Sequence, residues 1–112
     1  MDWSNDMKYT DQYGETYDLV FKCGTYYNRR PAVVAWCDGG PYATVTVNID
    51  APLSECDGYH TYVDTNNVAH LVDWMCEQGL MTKTGLMGES GWCVYPEVEL
   101  NHEWFDGLHA LY

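Results

Sequence analysis

Tyr42-Ala43-Thr44-Val45-Thr46-Val47-Asn48-Ile49 alternates at every step. Successive side chains of an extended chain point to opposite faces, so Ala43, Val45, Val47 and Ile49 share a core-facing side. Thr44, Thr46 and Asn48 take the other. The run is dense in β-branched residues, which suit a pleated surface, and it is the clearest strand in the chain. Asp50-Ala51-Pro52 ends it. Just before it, Asp38-Gly39-Gly40-Pro41 is a turn signal between two extended runs, which predicts a hairpin with Pro31-Ala32-Val33-Val34-Ala35-Trp36-Cys37. That partner run is apolar on both faces, which places it centrally in a sheet. Further upstream, Tyr17, Leu19, Phe21 and Cys23 alternate with Asp18, Val20 and Lys22, a half-buried strand that Gly24 ends. Residues 1–15 show little periodicity and read as a loosely ordered arm with at most a short strand.

Downstream, Tyr59-His60-Thr61-Tyr62-Val63 reads as a further strand. The period then changes. Val68, Leu71, Val72 and Met75 recur at the spacing of one helical face, which predicts an amphipathic helix over residues 67–78. Thr65 or Asn66 can cap its start, and Gly79 suits the left-handed position after its last turn. Its outward face is expected to carry His70, Asp73, Trp74 and Glu77. Gly85, Gly88 and Gly91 suggest a mobile connection. From Trp92 the period returns to two, with Trp92, Val94, Pro96, Val98 and Leu100 opposite Cys93, Tyr95, Glu97 and Glu99. Pro96 demotes that run to an edge strand or splits it. Residues 101–112 read as one helical turn docking on the body. Strands, then a helix, then a strand imply an α+β fold: an antiparallel β-sheet with one amphipathic helix packed on one face, as a single domain over residues 1–112.

The 112 residues carry five bases and 17 acids, a net charge of −12. Fifteen per cent of the chain is aromatic, which excludes a disordered acidic tail. The charge disfavours direct binding to nucleic acid or to anionic lipid. No apolar run approaches the roughly 18–20 residues that cross a bilayer. The first residues show neither the basic nor the apolar region of a signal peptide, so a cytoplasmic location is expected. Between Arg30 and Lys83 there are seven acids (Asp38, Asp50, Glu55, Asp57, Asp64, Asp73 and Glu77) and no base. Whatever the fold, the protein must present an anionic surface.

Motifs for chemistry are sparse. The cysteines at 23, 37, 56, 76 and 93 form no Cys-x-x-Cys pair, and read as reduced thiols serving as small hydrophobes. Cys56-x3-His60 has a usable metal-ligand spacing, but no second close pair accompanies it. His102-Glu103 fails as a zinc-protease helix, because Asp106 stands where the second histidine is needed. Glu55-Cys56-Asp57-Gly58 does not extend into a calcium loop. No nucleophile elbow or phosphate-binding glycine loop is present. No catalytic residue, metal or cofactor is therefore expected.

What remains is surface physics. Glu97 and Glu99 are expected on one strand face about 6.7 Å apart, and Asp73 and Glu77 one helical turn apart. Such close like charges serve solubility, or they imitate the regular charge of a phosphate backbone. Exposed aromatics among Trp3, Tyr26, Tyr27, Trp74 and Trp104 can anchor an interface. The size, acidity and mix of short strands with one helix resemble small inhibitors of phages and mobile elements, the anti-CRISPR and anti-restriction proteins. Tyr27-Asn28-Arg29-Arg30-Pro31-Ala32-Val33 and Pro41-Tyr42-Ala43-Thr44-Val45-Thr46-Val47-Asn48 also look like uncharacterised small bacterial and phage domains, a similarity covering residues 17–100. The first resemblance implies a non-catalytic inhibitor acting in the host cytoplasm, its acidic surface filling the nucleic-acid-binding cleft of a host defence protein. Asp73, Glu77, Glu97, Glu99 and Glu103 would make the contact. The alternative is an accessory or adaptor domain that binds a protein partner, or a second copy of itself as a homodimer, through Trp74 and Trp104.

Overall fold

A computed structural model describes residues 6–110. The fold is α+β, as the element order predicts, but the strands divide into two sheets. In the first, β1 (Asp6–Thr10), β2 (Thr16–Thr25), β3 (Pro31–Cys37) and β4 (Gly40–Thr44) lie in that order, each antiparallel to its neighbour. A short β9 (His109–Ala110) runs parallel to β2 at Lys22 and Cys23, beyond the end of its ladder with β1. The second sheet is antiparallel throughout. It contains β5 (Thr46–Val47), β6 (His60–Val63), β7 (Met81–Ser90) and β8 (Cys93–Leu100) in the order β5-β6-β8-β7. The helices are α1 (Thr65–Glu77) and the short α2 (His102–Asp106). No helix among the described residues is long and apolar enough to cross a membrane.

The run from Tyr42 to Ile49 is where one expected sheet becomes two. Val45 is the pivot. Its N–H donates to the Val33 carbonyl on β3 at 3.0 Å, and its own carbonyl accepts from Asp64 N, just past β6, at 2.9 Å. One residue thus belongs to both ladders, and the strand changes sheets there. Thr46, expected outward, turns inward: its Oγ1 accepts from Val33 N at 3.1 Å and pairs with the Tyr26 hydroxyl at 2.8 Å. Buried backbone donors need partners, and the hydroxyl stands in for a ladder carbonyl at the corner.

The β3–β4 hairpin forms as predicted. Asp38 and Gly39 both have positive φ, 53° and 77°, the geometry of a two-residue turn whose twist matches the strands. Helix α1 buries Leu71, Val72 and Met75. It ends in a Schellman motif: Leu80 N donates to the Met75 carbonyl at 3.0 Å, and Gly79 N to that of Cys76 at 3.1 Å. Gly79 has φ +78°, so the sequence placed this cap correctly. In the amino-terminal segment the short strand that the sequence allowed does form: Asp6–Thr10 pairs along its whole length with β2, so this part is not a loose arm. Its Tyr9 gives the helix another wall: the Trp74 ring meets Tyr9 edge-on at 5.1 Å and stacks with Phe21 at 6.4 Å.

The second sheet has two dissimilar faces. Val63, Met81, Val98 and Leu100 point into the common core. The alternate residues His60, Tyr62, Glu97 and Glu99 point the other way, toward the 50–58 loop. The glycine-rich stretch is not a mobile connection; it is β7. Gly88 is required by packing, since a Cβ there would lie 2.7 Å from the Tyr62 ring and 2.8 Å from Ile49 Cδ1. Nor is β8 an edge strand. It lies between β6 and β7, and its ladder with β6 spans Glu97–Glu99, so Pro96 falls outside that ladder and its missing N–H costs nothing on that side.

Candidate functional site

The face of the second sheet under the 50–58 loop is unusually polar. Glu97 is 0 % exposed. Its Oε2 accepts from Ser54 N at 2.7 Å, and its Oε1 accepts from Ser54 Oγ at 2.7 Å and from Thr84 Oγ1 at 2.5 Å. The register explains the Thr84 contact. Thr82 pairs with Glu99 and Lys83 with Val98, so the next residue, Thr84, comes opposite Glu97 just as the ladder shifts toward Met87. Burial pushes the carboxyl pKa up. Hydrogen bonds from Thr84 and Ser54, with the nearby His60, outweigh that and hold it below the usual carboxylate range. Glu97 is therefore an internal anion that latches the loop to the sheet.

Three more polar side chains hold the same loop. Arg30 donates through Nη1 to the Ile49 carbonyl at 2.9 Å and through Nη2 to that of Ala51 at 2.5 Å. The Tyr62 hydroxyl donates to the Pro52 carbonyl. His60 Nδ1 meets Asp57 Oδ1 at 2.8 Å. Burial pulls the His60 pKa down, but the bond to Asp57 and the charges of Asp57, Glu97 and Glu99 raise it overall. Further along β8, Glu99 Oε2 meets His102 Nε2 at 2.9 Å, and the His102 ring stacks on Tyr59 at 3.7 Å. A cavity of about 370 Å³ opens beside His60, lined by Arg29, Arg30, Leu53 and Cys56 among others.

The other end of β8 is the opposite case. The β7–β8 hairpin turns through Gly91 (φ +61°) and Trp92, and Trp92 is 104 % exposed relative to a free residue. Leu86, Met87 and Val94 on β7 and β8 are exposed as well. Met87 pairs with Pro96 and Val94 with Glu89, so Met87, Val94 and the exposed Glu89 share one face of the hairpin. Trp92 and Val94 were expected on one strand face with Val98 and Leu100, which are buried. They lie beyond the reach of β6, where no element among the described residues covers them.

The structure separates the residues expected to bind a partner. Glu97 is removed from the surface altogether. Trp104 is 3 % exposed and meets Phe21 edge-on at 5.6 Å, because Asn101 caps α2 (its Oδ1 accepts from Trp104 N at 3.0 Å) and turns the indole inward. Trp74 is half-buried against Tyr9 and Phe21. Asp73, Glu77 and Glu103 are exposed, and Glu99 is half-buried. These acids do not form one row. Asp73 pairs with Lys83 at 3.4 Å, and Lys83 shares the core side of the sheet with its partner Val98, whereas Glu99 lies on the other side. Of the remaining aromatics, Tyr27 is exposed, Tyr26 is half-buried, and Trp3 lies outside the described residues. Trp92 is an exposed aromatic that sequence reasoning missed. Its signal was Gly91, since a Gly-X pair between alternating runs marks a hairpin turn.

All five cysteines are free; Cys56 is exposed and the others are half-buried. Burial pushes the Cys23 and Cys76 thiols up, away from the reactive thiolate form. Comparison with curated proteins and with solved structures finds no match. A family model does match, over residues 22–109, from β2 through the latch and the hairpin to the start of β9. The chain belongs to the family described as "Domain of unknown function (DUF4313)".

Proposed function

We propose that this protein is a non-catalytic protein-binding module that docks through the β7–β8 hairpin. The observation that carries the reading is the fully exposed Trp92, with Met87 and Val94 also exposed on the same hairpin. Tryptophan is enriched among the residues that dominate binding energy, and a side chain already held on a paired hairpin loses less entropy on docking. The charge indicates the kind of partner. Lys8 pairs with Asp18, Lys83 pairs with Asp73, Lys22 lies over the Trp36 ring, and Arg30 is spent on loop carbonyls. Among the described residues most acids pair with no lysine or arginine, so a cationic partner surface gains on-rate and specificity from them.

A nucleic-acid-binding cleft is a cationic surface of this kind. The specific form of the proposal is an inhibitor, of the phage or mobile-element type, that occupies such a cleft on a defence protein in the host cytoplasm. Glu99, Glu103, Asp73 and Glu77 would add charge from two sides of the molecule rather than as one phosphate-like row. The edge position of β7 favours a second reading, in which another copy pairs along that strand as a homodimer. Nuclease-treated pull-down from host lysate at low and high salt separates them. The inhibitor reading predicts a nucleic-acid-binding protein captured at low salt, released at high salt, and weakened by Glu99→Lys with Glu103→Lys. Capture indifferent to salt and to these reversals would count against it, and a dimer on sizing with no captured partner would favour the second.

A further inference from the structure

Beyond the buried latch, donor atoms from three elements converge at the open edge of the same sheet face. Asp57 in the loop, Glu99 on β8 and His102 on α2 each bring one ligand atom to within 4.8 Å of the others. Asp57 also belongs to an inner group with Glu55 and His60, at the same separation. The cluster is not carboxylate alone. It contains two imidazoles, and the inner one, His60, is 5 % exposed and aimed at Asp57.

Asp57 keeps a free carboxylate oxygen toward the cluster, and among the described residues His102 Nε2 and Glu99 Oε2 meet only each other, at 2.9 Å. Asp57 Oδ1 is engaged by His60 Nδ1 at 2.8 Å and by Tyr59 N at 2.9 Å, while Oδ2 has no hydrogen-bond partner among the described residues. The Tyr59 ring fixes the plane of the His102 imidazole, and its hydroxyl is held in turn by Asp106 at 2.9 Å. Among the described residues no lysine or arginine pairs with Asp57 or Glu99. His102 and Glu99 remain about half exposed, which gives an ion a way in.

We propose that Asp57, Glu99 and His102 bind a divalent transition-metal ion of the zinc class. Two carboxylate oxygens with an imidazole nitrogen suit zinc, whereas calcium and magnesium take oxygen donors. Binding the ion replaces the His102 Nε2–Glu99 Oε2 hydrogen bond, and the proton of that bond passes to solvent. His60 is a positioning residue, holding the Asp57 carboxylate from behind as the outer partners of metal ligands do. Bound there, the ion ties the 50–58 loop and α2 to β8, which is a structural role.

The test is calorimetric titration of the chelator-treated full chain with zinc chloride, alongside its thermal melt. A single zinc per chain and a raised Tm are expected. Asp57→Asn, Glu99→Gln and His102→Ala should each weaken binding by at least about tenfold and abolish the Tm shift, and His60→Gln should weaken it by about tenfold. Glu103→Gln, an exposed acid one residue from His102, should change neither. Glu99 and His102 are exposed enough that their variants should keep the wild-type circular dichroism. Absence of stoichiometric binding would overturn the proposal. So would binding that His102→Ala and Glu99→Gln leave intact, or an equal loss in Glu103→Gln.

Discussion

The two ends of β8 break the same rule in opposite directions. At its start, Trp92 and Val94 are apolar and lie in solvent. Three residues past Val94, Glu97 is ionisable and fully enclosed. Neighbours make the difference. β6 pairs with the strand at Glu97, Ser54 of the 50–58 loop and Thr84 of β7 donate to its carboxylate, and neither β6 nor the loop reaches the hairpin tip. Polarity in this strand therefore does not report exposure. The carboxylate belongs to the scaffold, and the indole is the group that we propose docks to a partner. Local rules are most often broken at functional or strained sites, and β8 breaks them twice.

Trp104 offers the strongest contrast with Trp92, because it is the same side chain in an enclosed setting. Trp104→Ala should lower stability by about 3–5 kcal/mol, read as a shift in urea midpoint. A loss below about 1 kcal/mol would mean that α2 packs less firmly than its contact with Phe21 implies. Gly88, between the two ends, comes next. Gly88→Ala forces a methyl against Tyr62 and Ile49 and should cost about 1–3 kcal/mol, where an ordinary strand glycine would gain from alanine.

The smallest effect is in the pH dependence, and its sign differs between two groups of the enclosed end. Glu97 has a depressed pKa, so its contribution is present above the ordinary carboxylate range, about pH 4.3, and is lost as pH falls through the lower folded value. His60, facing Asp57, Glu97 and Glu99, has a raised one. Its contribution is full below about pH 6.5 and is lost as pH rises through the higher folded value. Urea unfolding at pH 6 and pH 8 should show wild type slightly more stable at the lower pH, and Asp57→Asn should flatten that slope.

Much of the fold was legible because it is local. The alternation at Tyr17–Cys23, the Asp38-Gly39 turn, the helical stripe and the Gly79 cap each lie within a few residues of their cause. The division into two sheets was not, since it rests on Val45 bonding Val33 on one side and Asp64 on the other. The site was less legible still. The partners of Glu97 stand 43 and 13 residues away in sequence, so nothing beside it marks an enclosed carboxylate. Its acidity alone assigned it to the surface, just as aromatic character made Trp104 a candidate anchor. Asp73, Glu77 and Glu103 were read correctly as exposed, because a solvated face is what most charge runs are.

The division of labour along β8 is tested most directly by urea unfolding of Glu97→Ala beside Trp92→Ala. Removing Glu97 strands the Ser54 and Thr84 donors and should cost about 2–4 kcal/mol. Removing Trp92 should leave the midpoint within about 0.5 kcal/mol of wild type. If Glu97→Ala is as stable as wild type, or Trp92→Ala unfolds as readily as Glu97→Ala, the latch and the anchor have been assigned to the wrong ends.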